Sequence, residues 1–447
     1  MDFIEKFRAA LRIPSFWPSG AQAGDSAAEA RLKEFQEFLV ENYPVFHKNA
    51  ERWVLNPYSV IYRWPGAVNA GKDADCGAAL ILAHYDVVAA EKEKWSADPF
   101  GAEMRDGYIY GRGSLDMKHM LICVMEAAET LCTAGFKPKR DIWFAFGGDE
   151  ERTGVLGAMN AVKWFTERGQ RFAWVLDEGT PIIEDHIKGV DTPLALISIE
   201  EKGYLSLELT AAQEPGHASK PSGVQAAALL GRALCRIADK PFPFTLTPAI
   251  ESFFGKLSPL IPGIKGFGMR HARALGPLFF MGAGKDPTVM AMLRNTVAMT
   301  ILEGSSAENV LPSEVRSVIN LRLLPPWTVD TATDFIKTAV NDERIGIKIR
   351  SMASGPVMAK QGTSHSGWKQ IEAAMAASWP GIPLLPFIML GTTDSRHFME
   401  LTEGIYRFSP YKLSPKDLSG IHGHDERISV LNLRKGLEFY TKLFGAI

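Results

Sequence analysis

The sequence predicts an α/β protein on a mostly parallel sheet flanked by helices, interrupted by an inserted α+β domain. Three observations carry that prediction. Strand-like and helix-like stretches alternate through the first part of the chain. Beyond about residue 200 the texture shifts to alternating strands around one clear helix, and the last hundred residues return to the first pattern. Finally, 447 residues exceed what one compact core usually organises, so two domains are expected. We place them at 1–199 with 352–447 and at 200–351. Three consecutive modules fit the order as well, less economically.

Taken in order, "SVIYRWPG" and "AALILAHYDVV" read as strands, "MLICVMEAAETLCTAG" as a helix ending at Gly135, and "RDIWFAFGGDEE" as a strand. "GAMNAVKWFTERG" is helical and "FAWVLDEG" strand-like. In the inserted region "ISIEEKGYLSLELTAA" and "EVRSVINLRLLP" alternate like strands, and "GVQAAALLGRALCRIA" is a helix. Residues 240–290, rich in Pro, Gly, Phe and Met, resist assignment and fit a helical insertion or a cover over a cleft. Near the end, "GWKQIEAAMAASW" reads as helix and "PLLPFIML" as strand.

Composition excludes several function classes. Lys plus Arg (49) nearly balances Asp plus Glu (51), and a net charge of −2 gives no reason to expect nucleic acid or an acidic membrane surface. The start, Met1 to Arg8, is amphipathic rather than a basic stretch followed by an apolar one, and no apolar run approaches a bilayer span. Cys76, Cys123, Cys132 and Cys235 are scattered without paired spacing, which suits reduced thiols in a cytoplasmic protein.

Chemistry-bearing residues recur where strands end: His84 and Asp86, Asp116 in "GRGSLDMKHM", Asp149-Glu150-Glu151 in "FGGDEERTG", and Asp177-Glu178 in "VLDEG". His422 in "GIHGHDERIS" is a further candidate. Singly, each has a plainer explanation: a hydrogen-bonded structural histidine, a helix N-cap, a solvated acidic loop. Together they mark one site, because ligands in open α/β sheets gather at the carboxyl ends of the strands. Several carboxylates converging there would repel one another unless cations held them ionised. Carboxylate mixed with imidazole and no thiolate suits zinc or a similar divalent ion in a catalytic role. Asp86, on the strand face of His84, can orient its imidazole.

These motifs resemble the zinc-dependent exopeptidases related to aminoacylase, acetylornithine deacetylase and carboxypeptidase S, most of all carboxypeptidase S and the N-acyl-amino-acid hydrolases. "LRIPS", "NPYSVIYRW", "AHYDVV", "GRGSLDMK", "GGDEERTG", "LDEG", "EKGYLSLELT", "NVLPSEVRSVINLRLLP", "GTTDSRHF", "YRFSP" and "IHGHDERIS" match in order along almost the whole chain. The resemblance implies two divalent ions, most simply Zn²⁺ with Co²⁺ or Mn²⁺ as alternatives. His84 and Asp177 would hold one, Glu151 and His422 the other, with Asp116 bridging. Glu178 rivals Asp177, and His424 stands beside His422 where the family usually carries Asn before Glu. By the same resemblance Glu150 is the general base, Asp86 the orienting carboxylate, and the inserted domain a lid and dimerisation domain. His217 in "EPGHASKPSG" would reach the partner's active site in a homodimer. Asn309, Arg322 and Gly391 would contact substrate, Arg322 through a free α-carboxylate; Arg396 and His397 are weaker candidates. His47, His119, His186, His271 and His365 sit in no such motif. The implied activity is hydrolysis of the amide bond next to a C-terminal amino acid, in small peptides or N-acyl amino acids. The alternatives are a biosynthetic deacylase or a non-catalytic binding protein on the same fold. Against the latter, the base and the ligands are all present.

Overall fold

Strand Ala78–His84 is buried at every position and sits in the middle of the main sheet. It runs parallel to Ile142–Gly147 on one side and to Phe172–Ile183 on the other. A strand covered on both faces has no polar side to offer, which is why its sequence is a continuous apolar run rather than an alternation. The computed structural model describes residues 1–18, 23–67, 77–185, 187, 189–221, 223–283, 286–350, 354–360 and 362–447. Cys76 and His186 lie outside the described residues.

The chain divides into two compact units, one of residues 1–199, 359–387 and 393–447, the other of 200–358 and 388–392. The return to the first unit thus falls at 359 rather than 352, and the short segment 388–392 belongs to the second, which no composition signal marks.

In the first unit the sheet order is Glu51–Asn56, Ser59–Trp64, Ile142–Gly147, Ala78–His84, Phe172–Ile183, Thr402–Leu413, Leu194–Glu201. The three inner junctions are parallel and the outer ones antiparallel. Helix Lys118–Thr133 packs against the sheet and against Val430–Gly445. Sandwiched in this way it is apolar nearly all round, with Met120 to Met125 wholly buried.

In the second unit an antiparallel sheet runs Thr296–Glu303, Glu314–Leu323, Gly203–Ala212, Ile345–Ile349. Strand alternation sends Leu205, Leu207, Leu209, Ile319 and Leu321 into a core with helices Ala226–Asp239 and Val329–Val340. The opposite face carries Tyr204, Ser206, Asn320 and Arg322.

The region that resisted assignment is helical: Pro248–Leu257, Gly263–Arg270, Ala272–Ala283 (broken at Gly276) and Pro287–Leu293. Two residues at the junction of strands Leu194–Glu201 and Gly203–Ala212 fasten both of its ends. Glu200 accepts a bond from the Ala249 amide in the first turn of the first helix (3.0 Å). Lys202 donates to the carbonyls of Ala291 (2.8 Å) and Arg294 (2.9 Å) at the end of the last. Those are the groups a helix terminus leaves unsatisfied.

Candidate metal centre

His84 ends its strand level with Gly147 of the neighbouring one. Its Nδ1 faces the Asp86 carbonyl (3.0 Å) and carboxylate (3.3 Å), and both residues are buried. That fixes the ring and turns Nε2 outward, towards Asp116 (3.0 Å) and Glu178 (3.3 Å). The Asp86 carboxylate has a second duty: it accepts from the backbone amides of Glu150 and Glu151 (both 3.2 Å) and so fixes the acidic turn after strand Ile142–Gly147.

Two groups of possible ligand atoms result, each within 4.8 Å: His84 with Asp116 and Glu178, and Asp116 with Glu151 and His422. Asp116 belongs to both. His422 Nε2 lies 3.0 Å from both Asp116 and Glu151. A glycine holds the acidic turn in shape: at Gly154 φ is +69° and a Cβ would collide with the Asp394 carboxylate.

The electrostatics match a charge-dense pocket. Burial pushes Glu178 up to about 8, with Asp116 adding to it, and raises Glu151 and Asp177 as well. Glu150 is held well above the usual carboxylate range, first by burial and then by nearby acids, against the opposing pull of His84. Burial alone would raise Asp116, but hydrogen bonds from His422 and His84 hold it below its ordinary value. His422 is raised to about 10 by its bonds to Asp116 and Glu151. Protons thus take the place of cations, and a site that needs them to balance its carboxylates fits divalent metal.

At Asp177 the structure departs from the expected ligand set. Its carboxylate accepts from the Ser395 amide (2.8 Å), and among the described residues it joins neither ligand group. The strand is irregular here, its register with Thr402–Leu413 slipping between Asp177 and Thr180, and it is the Glu178 carboxylate that faces His84 (3.3 Å). His424 is exposed and also outside both groups. Asp149 is bound by the amides of Leu156 (2.7 Å) and Gly157 (2.8 Å), a structural role. Arg396 donates to the Thr153 carbonyl (3.2 Å), and burial lowers His397 to about 4.

The second unit holds the other expected contacts. His217 pairs across a short ladder with Val310, and the next amide, Ala218, donates to the Asn309 carbonyl (3.0 Å), so His217 and Asn309 come together. His217 is exposed, its Nδ1 2.7 Å from the Ser219 hydroxyl. Arg322 stacks on the Tyr204 ring (4.8 Å) and meets Asn320 (3.3 Å). Gly391 lies in the short segment 388–392, beside Met389. The remaining histidines among the described residues have structural surroundings: His119 against Tyr411, His47 on the Tyr43 carbonyl, His365 capping a helix, His271 beside Phe267. Sequence reasoning passed over Glu426, wholly buried and bonded to the loop that carries Asp116; its only signal was its place in the last motif.

Comparison with known proteins shows the family. Residues 80–446 match the model of peptidase family M20/M25/M40. The N-fatty-acyl-amino acid synthase/hydrolase PM20D1 of Xenopus tropicalis is 32% identical over 99% of this chain and 85% of its own. A probable carboxypeptidase S-like 2 of Dictyostelium discoideum is 33% identical over 93% and 79%. Among solved structures, the M20 family metallo-carboxypeptidase Sso-CP2 of Sulfolobus solfataricus superposes with a TM-score of 0.72 at 16% identity, covering 99% of both chains. Human carnosine dipeptidase 1 does so at 0.68 and 15%, over 99% and 95%. The chain is a hydrolase of peptidase family M20/M25/M40.

Proposed function

We propose that the protein is a two-metal amidohydrolase that cleaves the amide bond next to a C-terminal amino acid bearing a free carboxylate, in a small peptide or an N-acyl amino acid. The observation that carries this reading is the pair of ligand groups sharing Asp116, with Glu150 beside them. His84, Glu178 and Asp116 would hold one ion and Glu151, His422 and Asp116 the other, of which zinc suits the donors best. Bound there, the ions would lower the pKa of the attacking water and polarise the scissile carbonyl.

The chain's own residues supply the rest. A carboxylate with a raised pKa is poised to take and return a proton near neutral pH. Glu150 accepts the proton that water loses as its oxygen bonds to the carbonyl carbon. It hands that proton to the amide nitrogen as the C–N bond breaks, leaving a carboxylic acid and an amine. Asp86 keeps His84 in one tautomer and Glu150 in place. Arg322 grips the substrate carboxylate with its planar fork. Asn309 and Gly391 line the substrate, and His217 steadies the developing oxyanion. The relatives named as an N-fatty-acyl-amino acid synthase/hydrolase and as carboxypeptidase S-like support both substrate classes. The free thiols of Cys123 and Cys132 suit the cytoplasmic residence we include in this reading.

The test is a substrate comparison on metal-replete protein: N-acyl amino acids and dipeptides against their carboxyl-amidated counterparts. We expect turnover of the free acids only. Arg322→Lys should raise KM for the acids strongly, since an ammonium cannot reproduce the fork, and change little for the poor amidated substrates. Equal losses on both would assign Arg322 a structural role.

A further inference from the structure

We infer that Glu426 is a positioning residue that locks Asp116 and His422 to one another and thereby closes the Asp116–Glu151–His422 ion site. The inference rests on the metallohydrolase reading above. Asp116 and His422 come from distant parts of the chain, and something must hold them in register.

The Glu426 carboxylate is fully buried, and all its acceptor capacity goes to the Asp116 loop. Oε1 accepts from the amides of Leu115 (2.6 Å) and Asp116 (3.2 Å). Oε2 accepts from the Gly113 amide (3.2 Å) and from Arg112 Nη1. Its backbone carbonyl accepts from the Gly111 amide (2.9 Å). The other arm of Arg112 returns to the His422 loop, donating to the Gly423 carbonyl (2.8 Å). One buried ion pair therefore grips both loops, four residues from His422 and directly on the Asp116 backbone.

The His422 loop needs such a grip. His422 and Asp425 adopt φ of +56° and +55°, a region that residues with a Cβ enter only when their surroundings dictate it. Packing does not dictate it at His422, whose side chain is 51% exposed. Hydrogen bonds do: Arg112 donates to the Gly423 carbonyl, the Ser96 amide to the Asp425 carboxylate (2.7 Å), and the Gly111 amide to the Glu426 carbonyl. Glu178 and His84 make no contact with this clamp, so the ion they share feels it only through Asp116, whereas the other ion feels it through both Asp116 and His422. Glu426 should therefore act most strongly on the ion site that contains His422.

Replacing Glu426 by glutamine keeps the shape but turns one acceptor into a donor. Its amide nitrogen must then face either Arg112 and Gly113 or the amides of Leu115 and Asp116, all of which donate. One side of the clamp is lost whichever way it turns.

The experiment is a calorimetric titration of the chelator-stripped protein with Zn²⁺, repeated with Co²⁺ by visible absorption, and with thermal unfolding run alongside. Glu178→Gln and His422→Ala assign the two binding steps to their sites. We expect two ions on the wild type. Glu426→Gln should bind the His84–Glu178 ion within about threefold of wild type and the His422 ion about 10- to 100-fold more weakly, the range seen when the supports of a metal ligand are lost. Arg112→Lys, which keeps a charge beside Glu426 but loses the fork to Gly423, should weaken the same ion. It decides the matter on the same criteria if Glu426→Gln fails to unfold cooperatively. Unchanged affinity at both sites, or equal weakening at both, overturns the positioning role. Fewer than two ions on the wild type overturns the two-metal reading first, and this inference with it. That failure shows in the first titration, before any variant is measured.

Discussion

Glu150 and Glu151 are neighbours with divided labour, and Asp86 enforces the division by fixing both backbone amides. Glu151 faces His422, while Glu150, among the described residues, joins neither ligand group and has a raised pKa. Glu150→Gln should therefore lose about 10²- to 10⁴-fold in kcat, the usual cost of removing a general base. Its ion content, measured by elemental analysis, should match wild type. Near-normal kcat would mean another group takes the proton. A paired test separates Asp177 from Glu178. Glu178→Gln should lower the ion content or affinity of the chelator-stripped protein, whereas Asp177→Asn, still able to accept from Ser395, should leave it within a few-fold. The reverse result would return Asp177 to the ligand set. Most of this site could be read from sequence because each ligand stands in a motif at a strand end. The Asp177–Glu178 choice could not, because it depends on which face of the strand looks at His84, a matter of register that an Asp-Glu pair leaves open. Glu426 was hidden for another reason: apart from Arg112 its partners are backbone amides some 300 positions away, and backbone carries no sequence signal.

At the scale of elements, the strand run Leu194–Glu201 with Gly203–Ala212 anchors the helical segment at its start through Glu200 and at its end through Lys202. The alternating strands around it were legible because period-two burial writes itself into sequence. The helices of 240–290 were not, since glycines and prolines obscure their periodicity and their termini are completed from a distant strand. Burial, with the Arg322 charge adding to it, lowers Lys202 to about 7. An unfolded lysine titrates near ~10.4, so between about 7 and 10 the unfolded chain binds more protons at this position than the folded one. Stability should rise with pH across that window through Lys202, and the contribution should be absent in Lys202→Met. Denaturant unfolding of both proteins at pH 7 and pH 10 reads it directly: the gain on going to pH 10 should be smaller in the variant. Equal gains would show that Lys202 is charged in the fold or does not titrate there.

For the whole molecule, the question is whether one chain makes a complete site. His217 is exposed on its own unit, held by Ser219 and set beside Asn309, which suits a residue that finishes a site elsewhere. Edge strand Thr296–Glu303 is largely exposed, with Leu302 at 72% and Met299 at 46%, and an open apolar edge of this kind is available for pairing with a second copy. We therefore expect a homodimer whose active sites are each completed by His217 of the other subunit. His217→Ala alone should cost about 10²- to 10³-fold in kcat, the loss typical of one oxyanion donor. Complementation tests the arrangement. Glu150→Gln and His217→Ala subunits, each nearly inactive, are mixed and allowed to exchange. In a two-fold dimer a mixed pair holds one site with both residues altered and one with both intact. Activity should return to about half of wild type per mixed dimer by that count of sites. Native mass spectrometry of the same mixture establishes that mixed dimers have formed. Mixed dimers without recovered activity would place His217 in the service of its own chain, or outside catalysis altogether.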